Sequence, residues 1–137
     1  MSDRLIERIE LLRGELIRNP AIAAFQFLQD TVAEGIGFFR VLATLVNGDF
    51  LQLVERFEYD SDGLCFGKYS FHWQRADGTL VCRWDNAPHH PELSTFPHHL
   101  HDLDEANILP HAPIDVFDVL SIIEQRLDND QWKPSAE

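Results

Sequence analysis

The sequence contains no apolar run approaching the roughly 20 residues that a membrane-spanning helix requires, which argues against an integral membrane protein of the helical kind. Its start, Ser2-Asp3-Arg4, opens a charged amphipathic segment, not the apolar core of a secretory leader. Cysteine is scarce. Cys65 and Cys82 are the whole complement and form no CxxC pair, so neither a disulfide framework nor a paired-thiolate metal site is expected. Together these absences point to a cytoplasmic protein with no membrane partner. Phosphate loops are missing as well: neither GxxxxGK nor GxGxxG occurs, and HExxH is absent, so no cofactor is expected.

Positive charge is also in short supply. Eleven Lys and Arg stand against 23 Asp and Glu, a net charge of −12, which weighs against indiscriminate nucleic-acid binding because phosphate contacts need positive potential. The deficit is uneven along the chain. Between Phe66 and His101, Lys68, Arg75 and Arg83 balance Asp77, Asp85 and Glu92 before any histidine is protonated. From Asp102 onward, nine acids face two bases. The middle segment is therefore the part least hostile to an anion.

What is present is enough apolar material for one core. At 137 residues and 45% hydrophobic content, residues 1–137 read as a single domain. Leu5, Ile9, Leu12 and Leu16 recur at helical spacing and stop at Asn19-Pro20, predicting a helix over 1–19. Its apolar stripe would cover a sheet or pair with a second copy of the chain as a homodimer, and its four acids and four arginines would form a solvated outer face. Ala21 to Val32 fits a strand through the alternation of Phe25-Gln26-Phe27 or a helix through Ile22, Phe25 and Val32, and a turn at Glu34-Gly35 favours the strand; Ile36 to Val46 reads as a strand turning at Asn47-Gly48. Phe50 to Tyr59, Leu64 to Arg75 and Thr79 to Asp85 complete an antiparallel meander of four or five strands over 21–86. Four prolines between Pro88 and Pro110 predict an irregular His/Pro-rich loop over 87–113. Val116, Val119, Leu120, Ile123 and Leu127 then mark a closing helix over 114–127, with a polar, frayed end from Asp128. The class is α+β.

Turn chemistry predicts register. A two-residue Asn47-Gly48 loop puts Arg40 opposite Glu55, as an ion pair on the face of Leu42 and Leu53. A two-residue Asp77-Gly78 loop puts Gln74 opposite Val81, Trp73 opposite Cys82, His72 opposite Arg83 and Phe71 opposite Trp84. Side chains alternate across a sheet, so Phe71, Trp73, Cys82 and Trp84 share one face as core. Ser70, His72, Gln74, Arg83 and Asp85 share the other, a face carrying a base, a cation and a carboxylate.

Six of the seven histidines fall between Tyr69 and His101. Imidazole takes and gives a proton near neutral pH, and metal-independent cleavage of RNA needs a base for the 2′-hydroxyl, an acid for the leaving oxygen and a cation for the charged phosphorane. His72 and Arg83 as cross-strand neighbours, Asp85 as an orienting carboxylate and His98 or His99 as the complementary proton donor would form that set. A metal-binding cluster is the alternative: His99 and His101 lie two apart, with His89 or His90 and Asp85 or Asp102 to complete a site. A third alternative is a binding module with no chemistry of its own.

Tyr69-Ser70-Phe71-His72-Trp73-Gln74, Arg83-Trp84-Asp85-Asn86-Ala87-Pro88-His89-His90-Pro91 and Phe96-Pro97-His98-His99-Leu100-His101, in this order, resemble the TumE family of bacterial toxin–antitoxin toxins. The likeness runs from Ala21 to Leu127 and includes Asn47-Gly48-Asp49 and Asp115 to Leu120. It implies a toxin neutralised by a DNA-binding antitoxin, with RNA as the expected substrate if it is an endoribonuclease or translation inhibitor.

Overall fold

Apolar residues alternating within the strands between Phe39 and Trp84, with Glu55 interrupting them, give the chain one greasy sheet face, and two helices cover it. A computed structural model describes residues 2–132. The elements are α1 (Ser2–Arg18), β1 (Ile22–Ala33), β2 (Ile36–Leu45), β3 (Phe50–Asp60), β4 (Gly63–Gln74), β5 (Leu80–Asp85), β6 (His99–Asp102), β7 (Ile108–Pro110) and α2 (Val116–Trp132). The strands form one seven-stranded antiparallel sheet in sequence order. The α+β class and the two flanking helices agree with the sequence reading; the strand count of four or five does not. The predicted loop over 87–113 contributes β6 and β7, because its prolines flank the alternating His99-Leu100-His101-Asp102 segment without interrupting it. The closing helix also runs on past residue 127 to Trp132.

The core is built from Leu5, Leu12 and Leu16 of α1, Phe39, Val41 and Leu53 of the sheet, and Val116, Leu120 and Ile123 of α2, all almost fully buried. The stripe of α1 thus takes the first of its two predicted roles, covering the sheet. Its polar face is not wholly solvated, however. Arg8 is buried and donates from Nε and Nη2 to Glu55 at 2.9 and 3.1 Å, with Asp115 at 3.4 Å. Asp115 also accepts from Phe117 N at the start of α2. One guanidinium therefore joins α1, β3 and the N-terminus of α2.

Arg8 fills the place predicted for Arg40. In the structure Arg40 pairs with Val54, and Phe39 with Glu55. The loop at Asn47-Gly48 holds three residues, with Leu45 N bonded to Asp49 O and Gly48 at φ 95°. That shifts the register by one, and a one-residue slip sends a side chain to the opposite face. Asp49, thus positioned, accepts from Trp73 Nε1 at 2.9 Å.

Gly37 sits opposite Phe57, and a Cβ on it would lie 2.4 Å from the Phe57 ring. Phe57 is itself buried at 1% exposure, so the ring has nowhere to go. Gly37→Ala is expected to lower stability by about 1–3 kcal/mol, as overpacking does, measured by urea denaturation. An unchanged midpoint would mean that the ring is not held against Gly37.

Candidate functional site

The site lies on the sheet face away from the helices, where β4, β5 and β6 run side by side. Its register brings two rows of side chains together: His72–Arg83–His101 and Ser70–Asp85–His99. The pairings of Trp73, His72 and Phe71 are those predicted, but Gln74 pairs with Leu80 and not with Val81. Here too the loop has three residues, with Arg75 N bonded to Thr79 O, and a bulge between Trp73 and Gln74 restores the expected register. Phe71, Trp73, Cys82 and Trp84 are buried on the helix side, as expected of core.

Asp85 is the centre of the cluster, at 6% exposure. Its Oδ1 faces His99 Nε2 at 2.8 Å and accepts from Ala87 N at 3.0 Å. Its Oδ2 accepts from Arg83 Nε at 3.0 Å and faces His101 Nε2 at 3.5 Å. The guanidinium reaches on to Glu105, with Nη1–Oε2 at 3.0 Å and Nη2–Oε1 at 2.8 Å. Hydrogen bonding from Arg83 holds the Glu105 carboxyl below its ordinary range. Burial alone would lower the Arg83 pKa, but the bonds to Glu105 and Asp85 turn the shift upward, so it stays charged.

Both strand histidines use their second nitrogen on the backbone. His99 Nδ1 lies 2.9 Å from Pro97 O, and His101 Nδ1 lies 2.9 Å from Glu105 O. Their rings sit 4.9 Å apart, and His90, from the connecting loop, borders them at 5.1 and 6.3 Å. His99 and His101 are buried. Among the described residues, Asp85, His99 and His101 form a group whose ligand atoms all lie within 4.8 Å of one another.

The remaining candidates are distributed more widely. His72 is half-buried and bonds Gln74 Oε1 through Nε2 at 2.9 Å. It also lines an open groove of about 520 Å³ running over Leu42, Phe50, Gln52 and Gln74. His98 is not in the cluster. It stacks on Tyr69, whose hydroxyl lies 2.7 Å from its Nδ1, and Tyr69 belongs to the buried helix side with Phe71. Burial and the neighbouring His99 lower the His98 pKa. His89 is exposed. Burial pushes the Cys82 thiol up to about 12, which removes it as a nucleophile at neutral pH.

Asn86 explains part of the sequence pattern that chemistry does not. Its side chain accepts from Tyr69 N at 2.9 Å and donates to Gly67 O at 2.8 Å, clamping the end of β5 to β4. His90 was named in the sequence reading as a possible further ligand, and Glu105 was the member that reading did not name. Glu105 arrives only through the β6–β7 turn, and nothing local in the sequence marks that return.

A family model described as Toxin TumE matches residues 12–128, a span that contains every residue of this cluster. No curated protein and no solved structure matches the chain.

Proposed function

The chain belongs to the TumE family of toxins, and from that premise we propose that it arrests growth by cleaving RNA on the open sheet face of β3 to β6. The carrying observation is that the groove meets the polar cluster at one residue, His72, which lines the groove and is the cross-strand neighbour of Arg83. None of the groove's lining residues is acidic, which locally offsets the net charge of −12. Phe50, 44% exposed, offers a ring on which a base can stack. Single-stranded RNA suits such a surface.

In this reading His72 exchanges a proton with the ribose hydroxyl or the leaving oxygen at the mouth of the groove. Arg83 clamps the phosphate after displacing Glu105, whose carboxylate is well exposed. Asp85 orients Arg83 and holds His99, to which this reading assigns the complementary donor role. The partner is the antitoxin that accompanies a toxin of this family, here a DNA-binding one.

The test is expression of the chain without its antitoxin, beside its His72→Ala and Arg83→Ala variants. The wild type is expected to stop growth and both variants, folded by circular dichroism, to permit it. Equal arrest by all three would remove these two roles and favour a binding module that acts by occupying its target.

A further inference from the structure

We propose that Asp85, His99 and His101 bind one divalent transition-metal ion of zinc's class. A backbone carbonyl can only accept, so the Nδ1 atoms of His99 and His101, each 2.9 Å from such a carbonyl, carry the protons. That leaves the Nε2 atoms for other partners, and both face the Asp85 carboxylate, 2.8 and 3.5 Å away. Asp85, His99 and His101 are all buried, and their three ligand atoms lie within 4.8 Å of one another.

Arg83 does not neutralise the cluster alone, since it is shared between Asp85 and Glu105, one guanidinium against two carboxylates. A metal ion satisfies all three donors together. Two atoms each about 2.0–2.1 Å from a tetrahedral ion lie roughly 3.4 Å apart, close to the 3.5 Å between Asp85 and His101 and within reach of the 2.8 Å at His99. The carbonyls at Pro97 and Glu105 are the outer partners that ligating histidines normally have, fixing tautomer and ring orientation. Two imidazoles and one carboxylate suit zinc, manganese or iron better than calcium or magnesium.

The inference deepens the site reading given above and rests on it only for the ion's use: it changes His99 from proton donor to ligand and supplies the cation that the phosphorane needs. Binding itself is independent of toxicity. The full-length protein, stripped with EDTA and dialysed, is titrated with cobalt(II) and with zinc. One ion per chain is expected, with visible cobalt absorption bands that zinc abolishes and a higher melting temperature in zinc. His101→Gln and Asp85→Asn should weaken binding at least tenfold, while His89→Ala, on an exposed neighbour, should bind as the wild type does. No saturable binding by the wild type would overturn the proposal without recourse to any variant. So would binding unchanged in His101→Gln or lost in His89→Ala. Metal binding by a chain that arrests no growth would leave this inference standing and refute the RNA-cleavage reading; arrest without metal binding would do the reverse.

Discussion

Arg8→Met is expected to destabilise the fold by about 3–5 kcal/mol at neutral pH, the usual result of stripping one partner from a buried ion pair. Glu55 is completely buried and Arg8 only 5% exposed, so the remaining carboxylate would have neither water nor a cation. The loss should depend on pH, and its sign follows from Glu55. Burial raises the Glu55 pKa above its ordinary 4.5, opposed by the hydrogen bond and charge of Arg8. Without Arg8 only the raising influences remain, burial first and Asp115 after it. The folded variant then holds a proton more tightly than the unfolded chain, and stability falls as pH rises above Glu55's ordinary value. Urea midpoints at pH 4 and pH 8 should therefore show the smaller deficit against wild type at pH 4. A deficit independent of pH would mean that Glu55 is not the stranded group. The double variant Arg8→Met/Glu55→Leu should recover most of the loss, because a buried pair can often be replaced by apolar side chains.

Asp85→Asn should have the largest effect on activity, a loss of about 10²–10⁴-fold, the range for removing a group on which proton transfer depends. The amide keeps the shape of the carboxylate and can still accept from Ala87 N, as Asp85 Oδ1 does at 3.0 Å. What disappears is the charge that Arg83, His99 and His101 all face. Cleavage of a labelled single-stranded RNA by the purified variant and wild type, matched for folding by circular dichroism, measures it. A rate within about threefold of wild type would place the chemistry away from this cluster.

How much of this was legible in the sequence depended on the turns. Glu34-Gly35 turns with both residues at positive φ, 55° and 80°, so the strand reading of β1 was sound. Asn47-Gly48 and Asp77-Gly78 both mark hairpins, but each loop took one more residue than a two-residue turn. At Asp77-Gly78 a bulge compensated, and the His72–Arg83 pairing survived. At Asn47-Gly48 nothing compensated, and the predicted Arg40–Glu55 pair fell on opposite faces. Arg8 could not have been assigned to Glu55 from periodicity, because an arginine on a helix of alternating charges looks like any other solvated one. The histidines divided in the same way. His99 and His101 were readable as an alternating pair, whereas His98 lies one residue before β6 begins and turns to Tyr69. Glu105 and His90 reach the site through loops, whose paths follow no periodic rule.

The measurement that tests the central claim most directly is the mapping of RNA ends in bacteria arrested by the wild-type chain, beside cells expressing Asp85→Asn at equal abundance. Cleavage on the β3–β6 face predicts new, discrete RNA ends at the onset of arrest in the first culture and none in the second. Arrest accompanied by intact RNA would contradict it, as would the same ends appearing with Asp85→Asn.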